Sequence, residues 1–185
     1  MKRAFIKALV LDKINNAPVV LLGIEDTKRV VPIWIGPCEA YALAMALEGL
    51  NPPRPMTHDL LLNILNTLDV SVDKVVIHTV KDGTFYANIV LKENVFFEEE
   101  EEVEETAYME IDARPSDSMV IAVKKGVPIY VTSEIVNEHS VEMEGEEKED
   151  EDEKFKKFVE NLDIEAFRRM LNDRGEESDN PEENE

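Results

Sequence analysis

A single cysteine, Cys38, in 185 residues excludes an intrachain disulfide and any cysteine-rich zinc site. Long apolar runs are missing as well. Charges interrupt every hydrophobic stretch before it reaches the ~20 residues that a membrane-spanning helix needs. The basic opening Met1-Lys2-Arg3 leads into an apolar stretch that Lys7 breaks, which is too short for a secretion signal. No membrane partner is expected, and the cytoplasm is the expected location. Basic residues are scarce, 20 Lys and Arg against 41 Asp and Glu, giving a net charge of −21. A chain this acidic is repelled by polyphosphate, because much nucleic-acid affinity comes from Lys and Arg displacing counterions. Neither a Lys/Arg stripe nor an aromatic-basic interleaving of the single-strand-binding kind is present.

The acids are concentrated, however. Residues 141–185 carry a net charge of −12, residues 98–105 carry −7, and only −2 remains for the rest. A nearly neutral body with two acidic attachments leaves room for a small local site. Several catalytic templates are absent: Gly-x-Ser-x-Gly, a P-loop, a dinucleotide glycine fingerprint and His-Glu-x-x-His. Cys38 is expected to serve packing rather than catalysis.

What is there reads as alternating strands and two classes of helix. Residues 4–11 and 18–24 predict strands joined at Asn15-Asn16, and residues 29–35 a third. Gly36-Pro37 then opens an Ala/Leu-rich helix over 37–48 that ends at Gly49. Asn51-Pro52-Pro53-Arg54-Pro55 cannot be regular structure. Thr57 is expected to cap a second helix with Leu60, Leu61, Ile64, Leu65 and Leu68 as its apolar stripe. Strands at 70–80 and 84–92 flank Asp82-Gly83, and a strand at 106–112 precedes a helix from Arg114-Pro115 to Lys125. A short strand at 128–131 and a final helical turn capped by Ser133 complete the body. The order βββ-α-α-βββ-α-β-α is α+β, a mixed β-sheet packed with helices, followed by an acidic helical tail. The expected organisation is a domain over 1–140, an acidic linker over 141–153, an amphipathic helical segment over 154–174 and a disordered tail over 175–185.

Gly36-Pro37-Cys38-Glu39 and Arg114-Pro115-Ser116-Asp117 echo each other, each following a strand and opening an apolar helix. Duplication would make Glu39 and Asp117 equivalent; good helix-start chemistry alone would also place an acid there. Two clusters could carry chemistry. In the first, rigid prolines hold Arg54, a bidentate phosphate ligand, while His58 and Asp59 lie in the first turn of a helix. There His58 could move a proton. In the second, Asp112 and Asp117 bracket Arg114, and with Glu39 they could share Mg²⁺ or Mn²⁺ through oxygen ligands. The bland alternative in both is an internal cap and salt-bridge network.

Three segments occur in order: Val31-Pro32-Ile33-Trp34-Ile35-Gly36 with Glu39-Ala40, then Pro53-Arg54-Pro55-Met56-Thr57-His58-Asp59, then Ile111-Asp112-Ala113-Arg114-Pro115-Ser116-Asp117. Together with Asp82-Gly83-Thr84-Phe85-Tyr86-Ala87 and Pro128-Ile129-Tyr130-Val131, they resemble the bifunctional nuclease domain family of bacteria and plants over residues 3–140. The stretch 155–167 resembles the tail of some bacterial members. The resemblance implies cleavage of RNA and DNA, with nucleic acid as substrate. On chemical grounds Arg54, His58, Asp59 and Arg114 are the catalytic candidates, and Glu39, Asp112 and Asp117 the metal candidates. Trp34, on an apolar strand, is expected in the core. The alternative is a non-catalytic binding or assembly module built on the same polar residues. A homo-oligomer, a dimer foremost, is expected because sheet edges must be covered.

Overall fold

The short apolar runs of the first 35 residues, rich in Val, Leu and Ile, become an antiparallel meander of β1 (Lys2–Asp12), β2 (Ala17–Ile24) and β3 (Arg29–Trp34), which runs into helix α1 (Pro37–Leu47). After α2 (Thr57–Thr67) the same plan recurs. β4 (Val70–Lys81), β5 (Thr84–Glu93) and β6 (Tyr108–Ala113) form a second antiparallel meander, which runs into α3 (Pro115–Lys125). β7 (Ile129–Val131), α4 (Ser133–His139) and β8 (Val141–Glu142) follow. The computed structural model describes residues 1–12, 14–93 and 107–143. The acidic loop 98–105 and the segments 154–174 and 175–185 lie outside the described residues, as does the linker 141–153 beyond Met143.

The eight strands among the described residues join one sheet in the order β6-β5-β4-β7-β1-β2-β3-β8. β7 is parallel to β4 and antiparallel to β1, so it stitches the two meanders together. The two βββα units therefore lie on either side of β7. Their helices α1 and α3 pack on each other, and α3 also packs on β4 and β5. Leu9, Leu22, Ile24 and Ile77 of the sheet are fully buried, as are Leu43 of α1 and Met119 and Ile121 of α3. Each such side chain is worth about 1.5–3 kcal/mol relative to exposure. The fold is α+β with a mixed sheet, as the sequence predicts. β8 is an addition: Val141–Glu142 pairs with Arg29–Val30, so the first two residues assigned to the linker belong to the sheet.

Turn chemistry explains the connections. Asp82 and Gly83 both have positive φ, 50° and 74°, as a tight hairpin turn requires. Gly126, at φ 67°, ends α3, and the Val127 N–H donates back to the Ala122 carbonyl. Two expected caps shift by one residue. Met56 and Thr132, not Thr57 and Ser133, are the flanking residues of α2 and α4, and Thr57 and Ser133 are the first helical positions. At α2 the Asp59 carboxylate accepts from the Met56 N–H at 3.0 Å, which removes the need for a threonine cap. No helix among the described residues is long and apolar enough to cross a membrane.

Candidate functional site

The two strand-to-helix junctions are built alike and converge. Gly36 and Arg114 are the flanking residues of α1 and α3, each followed by proline, and each carbonyl accepts from the N–H four residues on, Ala40 and Ser118. That places Glu39 and Asp117 at corresponding positions in the first turns. Both carboxylates meet the same guanidinium. Arg114 donates from Nε to Asp117 Oδ2 at 2.7 Å and from Nη1 to Glu39 Oε1 at 2.5 Å. The echo in the sequence is thus a structural correspondence with one asymmetry, an arginine where the first unit has glycine. A Cβ at Gly36 would lie 2.2 Å from Glu39 Oε2, so a side chain there would make the Glu39 carboxylate shift.

Asp117 Oδ1 lies 3.0 Å from His58 Nε2, in the first turn of α2. An ionised carboxylate only accepts, so Nε2 carries a proton and donates. Burial pushes the Asp117 carboxyl up, but the bonds from Arg114 and His58 outweigh it and hold it below the usual carboxylate value. The bond to Asp117 likewise raises the Arg114 pKa, against a smaller opposing effect of burial, with Glu39 adding to the rise. Asp59 is a neighbour rather than a member of this network. It takes a hydrogen bond from Lys124 Nζ at 2.7 Å, which, with the Met56 N–H, holds its carboxyl low.

A cleft of about 290 Å³ opens beside the network. Glu39, Arg114, Pro115 and Ser116 line it on the helix side, and Trp34, Gly83, Thr84 and Phe85 line it on the strand side. Four strands lie between β3 and β5 in the sheet, yet Trp34 and the tip of the β4–β5 hairpin line the same cleft. The Arg114 side chain is 65 % exposed, and its Nη2 has no hydrogen bond among the described residues.

The structure thus joins Glu39, His58, Arg114 and Asp117. Arg54 is exposed in the proline-rich loop before α2 and has no polar partner among the described residues. Asp112, on β6 opposite Asn88, is exposed and likewise unpartnered. Among the described residues no group of three or more His, Cys, Asp or Glu side chains is arranged to hold a metal, and Arg114 stands between the carboxylates of Glu39 and Asp117. Two expectations are corrected. Cys38 is exposed rather than packed. Trp34 is 54 % exposed rather than in the core, and its indole N–H donates to Asp12 at 3.1 Å. Alternation gave the signal: Ile33 is buried, so the next residue on a strand faces the other side. Sequence reasoning also missed Lys124 and Phe85; a lysine in the last turn of an apolar helix is the weak cue to the first.

Two proteins of Mycobacterium tuberculosis are similar to this chain. They are the uncharacterized protein MT1877 of strain CDC 1551 / Oshkosh and the uncharacterized protein Rv1829 of strain ATCC 25618 / H37Rv. Each is 36 % identical over 162 residues, covering 83 % of this chain and 90 % of the relative. The pattern described as "Bifunctional nuclease domain" matches residues 20–144, which run from within β2 to the end of β8 and include the whole Glu39–Arg114–Asp117–His58 network and the cleft beside it. The chain belongs to the bifunctional nuclease domain family.

Proposed function

We propose that the protein is a nuclease that hydrolyses phosphodiester bonds of RNA and DNA at the Arg114 cleft. One observation carries this reading: an exposed arginine, fixed by two carboxylates at paired helix starts, beside a cleft of nucleotide size. Family membership supports a role directed at nucleic acid. Arg114 binds the phosphate through the free edge of its guanidinium and stabilises the charge that grows in the transition state. Glu39 shares the cleft, takes a proton from the attacking water and returns it to the leaving oxygen as the P–O bond breaks. Asp117 aims Arg114, and His58 holds Asp117 from behind, so its expected proton-moving role becomes one of positioning. Arg54 adds a second phosphate contact from its loop. Because Arg114 fills the place between Glu39 and Asp117, the proposed chemistry has no step through Mg²⁺ or Mn²⁺, and Asp112 has no part in it.

A second reading has an observation of its own. Every carboxylate of the network already has a cationic or hydrogen-bonding partner within the chain, as a structural clasp in a binding or assembly module would. Labelled single-stranded RNA and DNA, incubated with Mg²⁺, Mn²⁺ or chelator, separate the two. Cleavage that persists in chelator and falls about 10²–10⁴-fold in Glu39→Gln supports the nuclease. No cleavage by the folded wild-type protein leaves the module. Cleavage that requires metal and disappears in Asp112→Asn/Asp117→Asn would restore the three-carboxylate metal site.

A further inference from the structure

Trp34 lies on the cleft. It ends β3, it is 54 % exposed, and its indole N–H is tied to Asp12 Oδ2, so one ring edge is fixed while the body of the ring lines the cleft. Phe85 lines the same cleft from the β4–β5 hairpin, and Arg114 stands at its helix side. An apolar ring held by a polar bond and an arginine, lining one cleft of about 290 Å³, suit a flat heteroaromatic group attached to a phosphate.

We infer that Trp34 and Phe85 form a stacking subsite for one unpaired nucleobase, whose adjoining phosphate lies on Arg114. The inference rests on the proposed nuclease reading for the occupant of the cleft and deepens it by naming the substrate class: single-stranded nucleic acid, RNA or DNA, without base preference. A ring face reads any base, because every base has a π-face, and hydrogen-bond readout plays no part. Duplex is excluded on two counts. Its bases are already stacked on one another, and the sequence has no Lys/Arg stripe from which to recover the energy of extruding one.

Trp34 is the only tryptophan in the sequence, so fluorescence under tryptophan-selective excitation reads this ring alone. The full-length protein is mixed in a stopped-flow instrument with a 12-nucleotide oligo-dT, oligo-rA, the matched duplex or an abasic deoxyribose-phosphate oligomer, and read before turnover. The expected result is quenching by both single strands and by neither duplex nor abasic oligomer. In parallel, binding of a labelled single strand weakens about 5- to 150-fold in Trp34→Ala and largely recovers in Trp34→Phe. Phe85→Ala weakens it in the same direction. Quenching by the abasic oligomer equal to that by oligo-dT overturns the inference, because a phosphate contact would then suffice. Equal quenching by duplex, or unchanged binding in a folded Trp34→Ala, also overturns it. Quenching without cleavage leaves the base subsite standing and removes the catalysis; cleavage without quenching does the reverse.

Discussion

Asp117 accepts from donors on two different elements, its own junction and the start of α2, and Asp59 accepts from Lys124 and the Met56 amide. Both carboxyls are held below their ordinary value of 3.8 in the folded chain. A carboxyl depressed on folding contributes stability that is fully present above its unfolded pKa and is lost as pH falls through its folded pKa. Thermal stability is therefore expected to be level from neutrality to about pH 5 and to fall below about pH 4. Asp59→Asn/Asp117→Asn lowers Tm at neutral pH and flattens that fall, a comparison that separates these two groups from the many other acids. Arg114 is mostly exposed, so its ion pairs hold geometry more than they stabilise, at most about 1 kcal/mol each. Loss of His58 accordingly alters the aim of Arg114 rather than the proton chemistry. His58→Ala is expected to raise KM for single strands more than it lowers kcat, whereas Glu39→Gln lowers kcat.

α2 is the least embedded helix. None of its residues is buried, and its polar clasps to α3, His58 with Asp117 and Asp59 with Lys124, both lie in its first turn. Removing one clasp with Lys124→Ala is expected to raise amide hydrogen exchange along α2 while the strands of the sheet keep their protection. α3 instead depends on its C-terminal turn. Gly126 has open space around a Cβ but a φ of 67°, so Gly126→Ala destabilises by about 1 kcal/mol through backbone strain alone, measurable by denaturant unfolding. The elements themselves were legible in the sequence because each carries local chemistry: Asp82-Gly83 for a hairpin, Gly36-Pro37 and Arg114-Pro115 for helix starts, Gly126 for a stop. Illegible were the partners across the fold. That Arg114 reaches Glu39 depends on α1 packing on α3, and that Phe85 and Trp34 line one cleft depends on how strands far apart in the sheet come together; neither leaves a trace in local spacing. The apolar period of α2 was equally plain, yet which surface covers Leu60, Leu61, Ile64 and Leu68 is a property of packing.

Those four residues are 39–65 % exposed, and the helix surface from Leu60 to Leu68 carries no charge. On a chain of net charge −21, an uncharged face is where two copies approach without pressing carboxylates together. The dimer expected from the sequence is therefore proposed to form through α2. Light scattering should find twice the chain mass, and Leu61→Glu/Ile64→Glu should halve it while leaving circular dichroism unchanged; a wild-type monomer removes the proposal. The molecule is also two similar halves joined by a late arrival. β7 holds three residues of β1 on one side and three of β4 on the other. During synthesis the first meander leaves the ribosome early and the second much later, but neither can close its inner edge until Ile129–Val131 follows. Nascent chains arrested before that point expose the edges of both β1 and β4 and offer them to any neighbouring strand. The interval in which this protein is open to misassembly is thus set by the translation time of its last strands, and chaperones that shield strand edges should be most needed while residues 81–131 are being made.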